Sequence, residues 1–306
     1  LHMLCHIAGV QDGDEVITSP IAFVATANCF IFEGGRPVFA DVDPQTLNLD
    51  PAAVEAAITE QTKGIVVVDM FGYPCELDEL RAIAERHGLW LIDDSCEALG
   101  AEYKGRTIGS HGPSSVFGFY PNKQITTGEG GVVTTHSKEE RDLLVSLRNQ
   151  GRSYDSRWFH HVRLGFNYRI TDLQAALGIA QLEKLDRLLA MRSDVAVRYS
   201  ELLADVDGVE APHADDAEHK RSWFVYVVKV APGVDREDEV VAVFDYAADG
   251  KGGAAPSIDT AMHGLVESPH VDHLHPDSGI ALATAADGEA LTKECFGDRV
   301  VWIPWR

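Results

Sequence analysis

The chain has 306 residues, 45% of them hydrophobic, enough to bury a sizeable core in two domains or in one large α/β domain with an appendage. Its formal net charge of −22 excludes binding to nucleic acid or to an anionic membrane by bulk electrostatics, so any anionic ligand has to be held locally, by arginines or helix N-termini. No apolar run has the length of a membrane span, no leader pattern opens the chain, and the five cysteines lack CxxC or metal-ligand spacing, which reads as free thiols in a cytoplasmic protein.

The first residues, LHMLCHIAGV, lie inside an amphipathic helical pattern and are expected to be a cut edge. Val16, Ile17 and Thr18 form a short strand, and 22–32 is an apolar helix with Phe23 near its N-terminus. A second strand spans 36–42. Asp50 followed by Pro51 opens a helix, the first as N-cap and the second at the first helical position. Residues 64–68 are a continuous apolar strand of the kind buried on both faces of a parallel sheet. An amphipathic helix over 77–87 stops at Gly88, and the strand 89–94 ends in two carboxylates, Asp93 and Asp94. Strands alternating with helices at this spacing mean an α/β sandwich with a largely parallel sheet, whose ligands bind at the carboxyl ends of the strands.

The stretch 116–133, VFGFYPNKQITTGEGGVV, carries the chemistry. An apolar strand, 116–120, is broken by Pro121 and Asn122 and leaves Lys123 at its end. A glycine turn over 126–131 then leads into a second strand, 132–135. An ammonium held between buried strands is costly to desolvate, and a desolvated lysine suits Schiff-base chemistry, since only the neutral amine attacks a carbonyl. From the residues alone, a solvated lysine in a hairpin loop is the alternative. Further on, 139–149 is a charged helix, 151–159 a polar, aromatic-rich loop, and 163–169 irregular. Thr171 and Asp172 cap a helix over 173–182 that continues to about residue 203, where Ala196, Tyr199, Leu202 and Leu203 keep helical spacing. A strand is predicted over 223–230. Beyond about residue 240 the periodicity is lost, and His263, His270, His273 and His275 read as solvated loop histidines rather than as a metal site.

Five segments taken together resemble the DegT/DnrJ/EryC1/StrS family of pyridoxal-phosphate-dependent sugar aminotransferases. They are GDEVITSPIAFVATAN, GGRPVFADVDPQTLNLDP, IDDSCEALGA, FYPNKQITTGEGG and RLGFNYRITDLQAALGIAQLEKLD, in family order from about residue 4 to about residue 230. The resemblance implies a type I pyridoxal-phosphate transferase fold: a cofactor-binding large domain over 1–185, and a smaller C-terminal α+β domain over 186–306 of which 240–306 matches poorly. It implies pyridoxal 5'-phosphate as cofactor, with Lys123 as the lysine that bonds the cofactor and moves the proton. Asp94 is implied as the partner of the pyridine nitrogen; from the residues alone, Asp93 and Asp94 are equally eligible and either could cap a helix. Glu97 falls where glutamine or histidine is more usual, beside the phenolic oxygen. Phe23 matches a ring-stacking position, and Asn167 one that reaches the phosphate of a neighbouring subunit, which implies a homodimer with shared sites. Gly118 stands where many members carry a phosphate-binding serine.

The reaction so implied moves an amino group from glutamate or glutamine to a nucleotide-linked keto-sugar. Three alternatives remain at this point. A sugar 3-dehydratase of the same fold has histidine in place of the lysine, which Lys123 opposes. A truncated or frameshifted non-catalytic product would keep only the scaffold, and a cofactor-free Schiff-base enzyme would have no use for Asp94 beneath a ring.

Overall fold

The computed structural model describes residues 1–153 and 160–231. The predicted loop 151–159 is therefore described only in part, and the region after 240, with its four histidines and Cys295, lies outside the described residues. The elements in chain order are α1 (His2–Ala8), β1 (Glu15–Thr18), α2 (Val24–Ile31), β2 (Arg36–Phe39), α3 (Pro51–Ala56), β3 (Thr62–Val68), α4 (Leu77–His87), β4 (Trp90–Asp94), β5 (Glu102–Tyr103), β6 (Arg106–Thr107), β7 (Ser114–Gly118), β8 (Gly131–Thr134), α5 (Lys138–Arg148), α6 (Asp172–Leu182) and α7 (Leu185–Leu203), followed by short strands. The chain divides into two compact units, one of Leu1–Glu201 with Ala211–Lys229, the other of Leu202–Glu210 with Val230–Arg306.

The centre of the first unit is a six-stranded sheet in the order β2-β1-β3-β4-β7-β8. The first five strands are parallel, and β8 runs antiparallel along β7. Alternation along the strands sorts the core into two layers. Ile17, Ile65, Val67 and Phe117 face α3 and α4, packing with Val54, Leu77, Leu80 and Ile83. Val16, Val66, Ile92 and Val116 face α1, α2 and α5, packing with Leu4, Cys5, Phe30 and Leu144. The continuous apolar run of β3 is thus buried on both sides, as its sequence predicts. One glycine is needed for close approach: a Cβ on Gly64 would stand 2.1 Å from the ring of its cross-strand partner Trp90.

Local signals hold at several ends. The Asp50 side chain accepts from the N–H of Ala52, with Pro51 at the first helical position, and Gly88 closes α4 in the left-handed region at φ 66°. Two expectations are corrected. The long helix over 173–203 is two helices; at the joint Lys184 N–H turns back to the Gln181 carbonyl, and Leu185 and Leu188 then turn into the core. The strand over 223–230 shrinks to Lys229–Val230, because Trp223 adopts φ +51°, which no strand tolerates.

Candidate active site at the carboxyl end of the sheet

Strand β4 delivers two adjacent carboxylates, and the pleat sends them to opposite layers. Asp94 turns toward α2, where the Thr26 hydroxyl donates to its Oδ2 at 2.6 Å, while its Oδ1 receives the Cys96 N–H at 3.3 Å. Asp93 turns to the other layer, accepting from Ser115 Oγ at 2.9 Å beside the fully buried Asp69. Desolvation pushes Asp69 well above the usual carboxylate range, and the neighbouring Asp93 charge adds to it. Asp93 is itself raised by burial. Asp69 Oδ2, Asp93 Oδ1 and the Ser95 hydroxyl are buried here without a close partner, and Asp69 and Ser95 both act on the Asp93 carboxyl as hydrogen-bond partners, so a proton kept on Asp69 can be shared with Asp93. No helix follows either carboxylate, which removes the helix-cap reading.

Thr26 lies in the first turn of α2, and its N–H bonds the carbonyl of Phe23, the residue that opens the helix. Phe23 therefore stands one turn from the residue that holds Asp94, with its ring 74% exposed: a large aromatic face left bare at a strand end.

Beyond β7 the chain leaves the sheet. Phe119 N–H bonds the Gly130 carbonyl, Thr127 N–H bonds the Phe119 carbonyl, and Lys123 N–H closes a turn on Tyr120. Gly128 and Gly130, at φ 79° and 151°, make the tight return into β8. Lys123 is largely buried in this loop. Its Nζ lies 4.0 Å from the centre of the Phe224 ring and 3.6 Å from Glu97 Oε1. The other Glu97 oxygen accepts from the Phe71 N–H at 2.8 Å. Burial raises the Glu97 carboxyl above its ordinary value, opposed by that N–H and by the Lys123 charge. Gln124, next in the chain, donates to Ser222 Oγ at 2.8 Å and also to the Glu97 carbonyl.

Four of the five residues singled out by sequence thus collect at one end of the sheet. Lys123 and Glu97 form an ion pair, the Asp94 charge acts on Glu97, and Phe23 reaches the group through Thr26. Asn167 sits on a different segment, exposed, in an antiparallel bridge with Asn149. Gly118 closes β7 with room to spare, since a Cβ there would meet Cys96 at an ordinary 3.5 Å. Sequence reasoning missed Thr26 and Phe224, because a threonine inside an apolar helix and a phenylalanine in a predicted strand carry no local signal.

The arrangement resembles known proteins over most of its length. The DegT/DnrJ/EryC1/StrS aminotransferase family matches residues 1–249. The spore coat polysaccharide biosynthesis protein SpsC of Bacillus subtilis is 40% identical over 250 residues, covering 78% of this chain and 64% of that protein. The GDP-perosamine synthase of Caulobacter vibrioides is 40% identical over 247 residues, covering 80% and 66%. Among solved structures, S. venezuelae DesV in complex with a ketimine intermediate superposes with a TM-score of 0.73 at 32% identity, covering 79% of this chain and 64% of that one. Helicobacter pylori PseC, an aminotransferase involved in the biosynthesis of pseudoaminic acid, gives 0.70 at 33%, covering 75% and 63%. The chain spans less than two thirds of the length of these relatives.

Proposed function

From membership of the DegT/DnrJ/EryC1/StrS aminotransferase family, to which this chain belongs, we propose that it binds pyridoxal 5'-phosphate and transfers an amino group from glutamate or glutamine to a nucleotide-linked keto-sugar. The observation that carries this reading is an amine and a carboxylate that both act on Glu97 at one sheet end: Lys123 Nζ in the loop after β7, 3.6 Å from Glu97, and Asp94 at the end of β4.

The donor set fits the cofactor. A primary amine is present for its aldehyde, a buried carboxylate with a lightly used oxygen for its ring nitrogen, and a bare aromatic face at Phe23 for its ring. When bound, pyridoxal phosphate supplies an electron sink for the substrate carbanion. The chain's own residues do the rest. Asp94, fixed by Thr26, would hold a proton at the pyridine nitrogen, Phe23 would cover the ring, and Lys123 would hold the aldehyde carbon and move the proton at the substrate carbon. Glu97, at 3.6 Å, is the carboxylate that faces the lysine as its counter-ion. Lys123 in place of histidine argues against the dehydratase reading.

We assign the cofactor domain to 1–185 and the small domain to 186–306, and Asn167 to the phosphate of a second copy's site in a homodimer. Exposed Phe32, Leu164 and Leu173, at 68%, 84% and 85%, support such a partner surface. No described helix is long and apolar enough to cross a membrane, and we place the enzyme in the cytoplasm. The names of the relatives support a sugar substrate. Incubating the chain with pyridoxal phosphate, glutamate or glutamine, and a panel of nucleotide-linked keto-sugars tests the reading. Formation of the amino-sugar with stoichiometric 2-oxo acid supports it; oxo-acid release with no sugar accepting the nitrogen rejects the sugar assignment.

A further inference from the structure

Lysine carries a point charge on a flexible four-carbon stem, so an amine that must be placed needs its foot fixed. The element that fixes the foot of Lys123 is a guanidinium from α7. Arg192 Nη1 donates to the carbonyls of Trp223 and Phe224, each at 3.0 Å, and Nη2 donates to the carbonyl of Lys123 at 3.1 Å. The two consecutive carbonyls are presented together because Trp223 is held at φ +51°, a left-handed conformation that a non-glycine residue keeps only where the surroundings impose it. Among the described residues, the bonds of this half-buried guanidinium go to main-chain oxygens drawn from two segments. The segment it ties to the foot of Lys123 also supplies the Phe224 ring under the tip of Lys123, 4.0 Å from Nζ. Gln124 adds a neighbouring tie, to Ser222.

We propose that Arg192 is a positioning residue for Lys123: by joining the Lys123 carbonyl to the 223–224 backbone it sets the ε-amino group over the Phe224 ring and beside Glu97. The use of that amine rests on the reading given above; its placement does not. A lysine at position 192 would keep the charge but not the planar fork, and could not span carbonyls of two segments. The clamp therefore depends on guanidinium shape rather than on charge.

The test uses the full cofactor-free chain with lysines 13C-labelled at Cε. The Lys123 signal is the one missing in Lys123→Arg. An aromatic ring under the amine displaces its ε-protons upfield, and Phe224→Leu shows how large that displacement is. Arg192→Ala and Arg192→Lys are expected to lose most of it, and in both the pyridoxal phosphate concentration that half-saturates Lys123 should rise at least tenfold. Should Arg192→Ala fail to fold, Arg192→Lys decides alone. A Lys123 signal that keeps its parental position in Arg192→Lys, or one not displaced in the parent, overturns the proposal. A parent that shows the displaced signal but never captures pyridoxal phosphate overturns the cofactor reading and leaves the clamp standing.

Discussion

Replacing Asp69 by asparagine should stabilise this protein at neutral pH, although the site is fully buried. Asp69 and Asp93 are both at 0% exposure; burial and the Asp93 charge hold Asp69 well above the usual carboxylate range, and Asp93 is pushed up to about 6, chiefly by burial. Free carboxyls ionise near pH 4. Above about pH 4 the unfolded chain has thus released a proton that folded Asp69 still holds, even after Asp93 ionises. The folded state binds more protons, so stability falls as pH rises, by about 1.4 kcal/mol per unit for that proton. An asparagine at 69 keeps an oxygen for the Cys75 N–H, which now bonds Asp69 Oδ1 at 2.9 Å, and its amide donates permanently to Asp93. The proton is then no longer needed. Urea unfolding of both proteins from pH 4 to 7 should give variant-minus-parent curves that climb by about 1–3 kcal/mol with unchanged m-value. Taking the difference cancels the self-repulsion of a chain of net charge −22. A difference that stays flat with pH, or falls, refutes the shared proton.

Three other outcomes follow from the same geometry. Gly64→Ala drives a methyl into the Trp90 ring and should cost about 1–3 kcal/mol in a denaturant melt; an unchanged midpoint would mean that β3 and β4 are not in this register. Thr26→Val keeps the shape but removes the 2.6 Å donor to Asp94, which should cost about 1.5–3 kcal/mol of stability and weaken pyridoxal phosphate retention, whereas parental retention would detach Asp94 from the cofactor. Glu97→Gln removes the carboxylate 3.6 Å from Lys123. For an ion pair worth about 1 kcal/mol the rate of imine formation at neutral pH should rise about fivefold by stopped-flow absorbance, and an unaltered rate would deny Glu97 its role as counter-ion.

Where the physics is local, the sequence was legible. The Asp50–Pro51 start, the Gly88 stop, the doubly buried β3 and the glycine turn after Lys123 each rest on a residue's own backbone preference or on a two-residue period, and each stands in the fold. The contact between Glu97 and Lys123 joins residues far apart in the chain, yet both were reachable from their motifs. What stayed hidden was tertiary. Trp223 leaves the extended region at φ +51°, and its carbonyl accepts from an arginine thirty-one positions away, a tertiary contact that a run of β-prone side chains does not announce. The break between α6 and α7 has neither glycine nor proline to announce it; Leu185 and Leu188 make it by turning into the core. The family resemblance singles out Asp94, but the layer that each of Asp93 and Asp94 faces was not legible, because adjacent identical residues carry no signal of the pleat.

The central claim is that Lys123 is the amine that captures pyridoxal phosphate, and borohydride fixation tests it most directly. The purified chain is incubated with the cofactor, reduced, stripped of excess and digested, and its peptides are weighed beside those of Lys123→Ala. The account predicts one reduced pyridoxyl group on the peptide containing Lys123, with a visible absorbance band before reduction, and neither in the variant. Attachment spread over other lysines, or an equal band in Lys123→Ala, would contradict it.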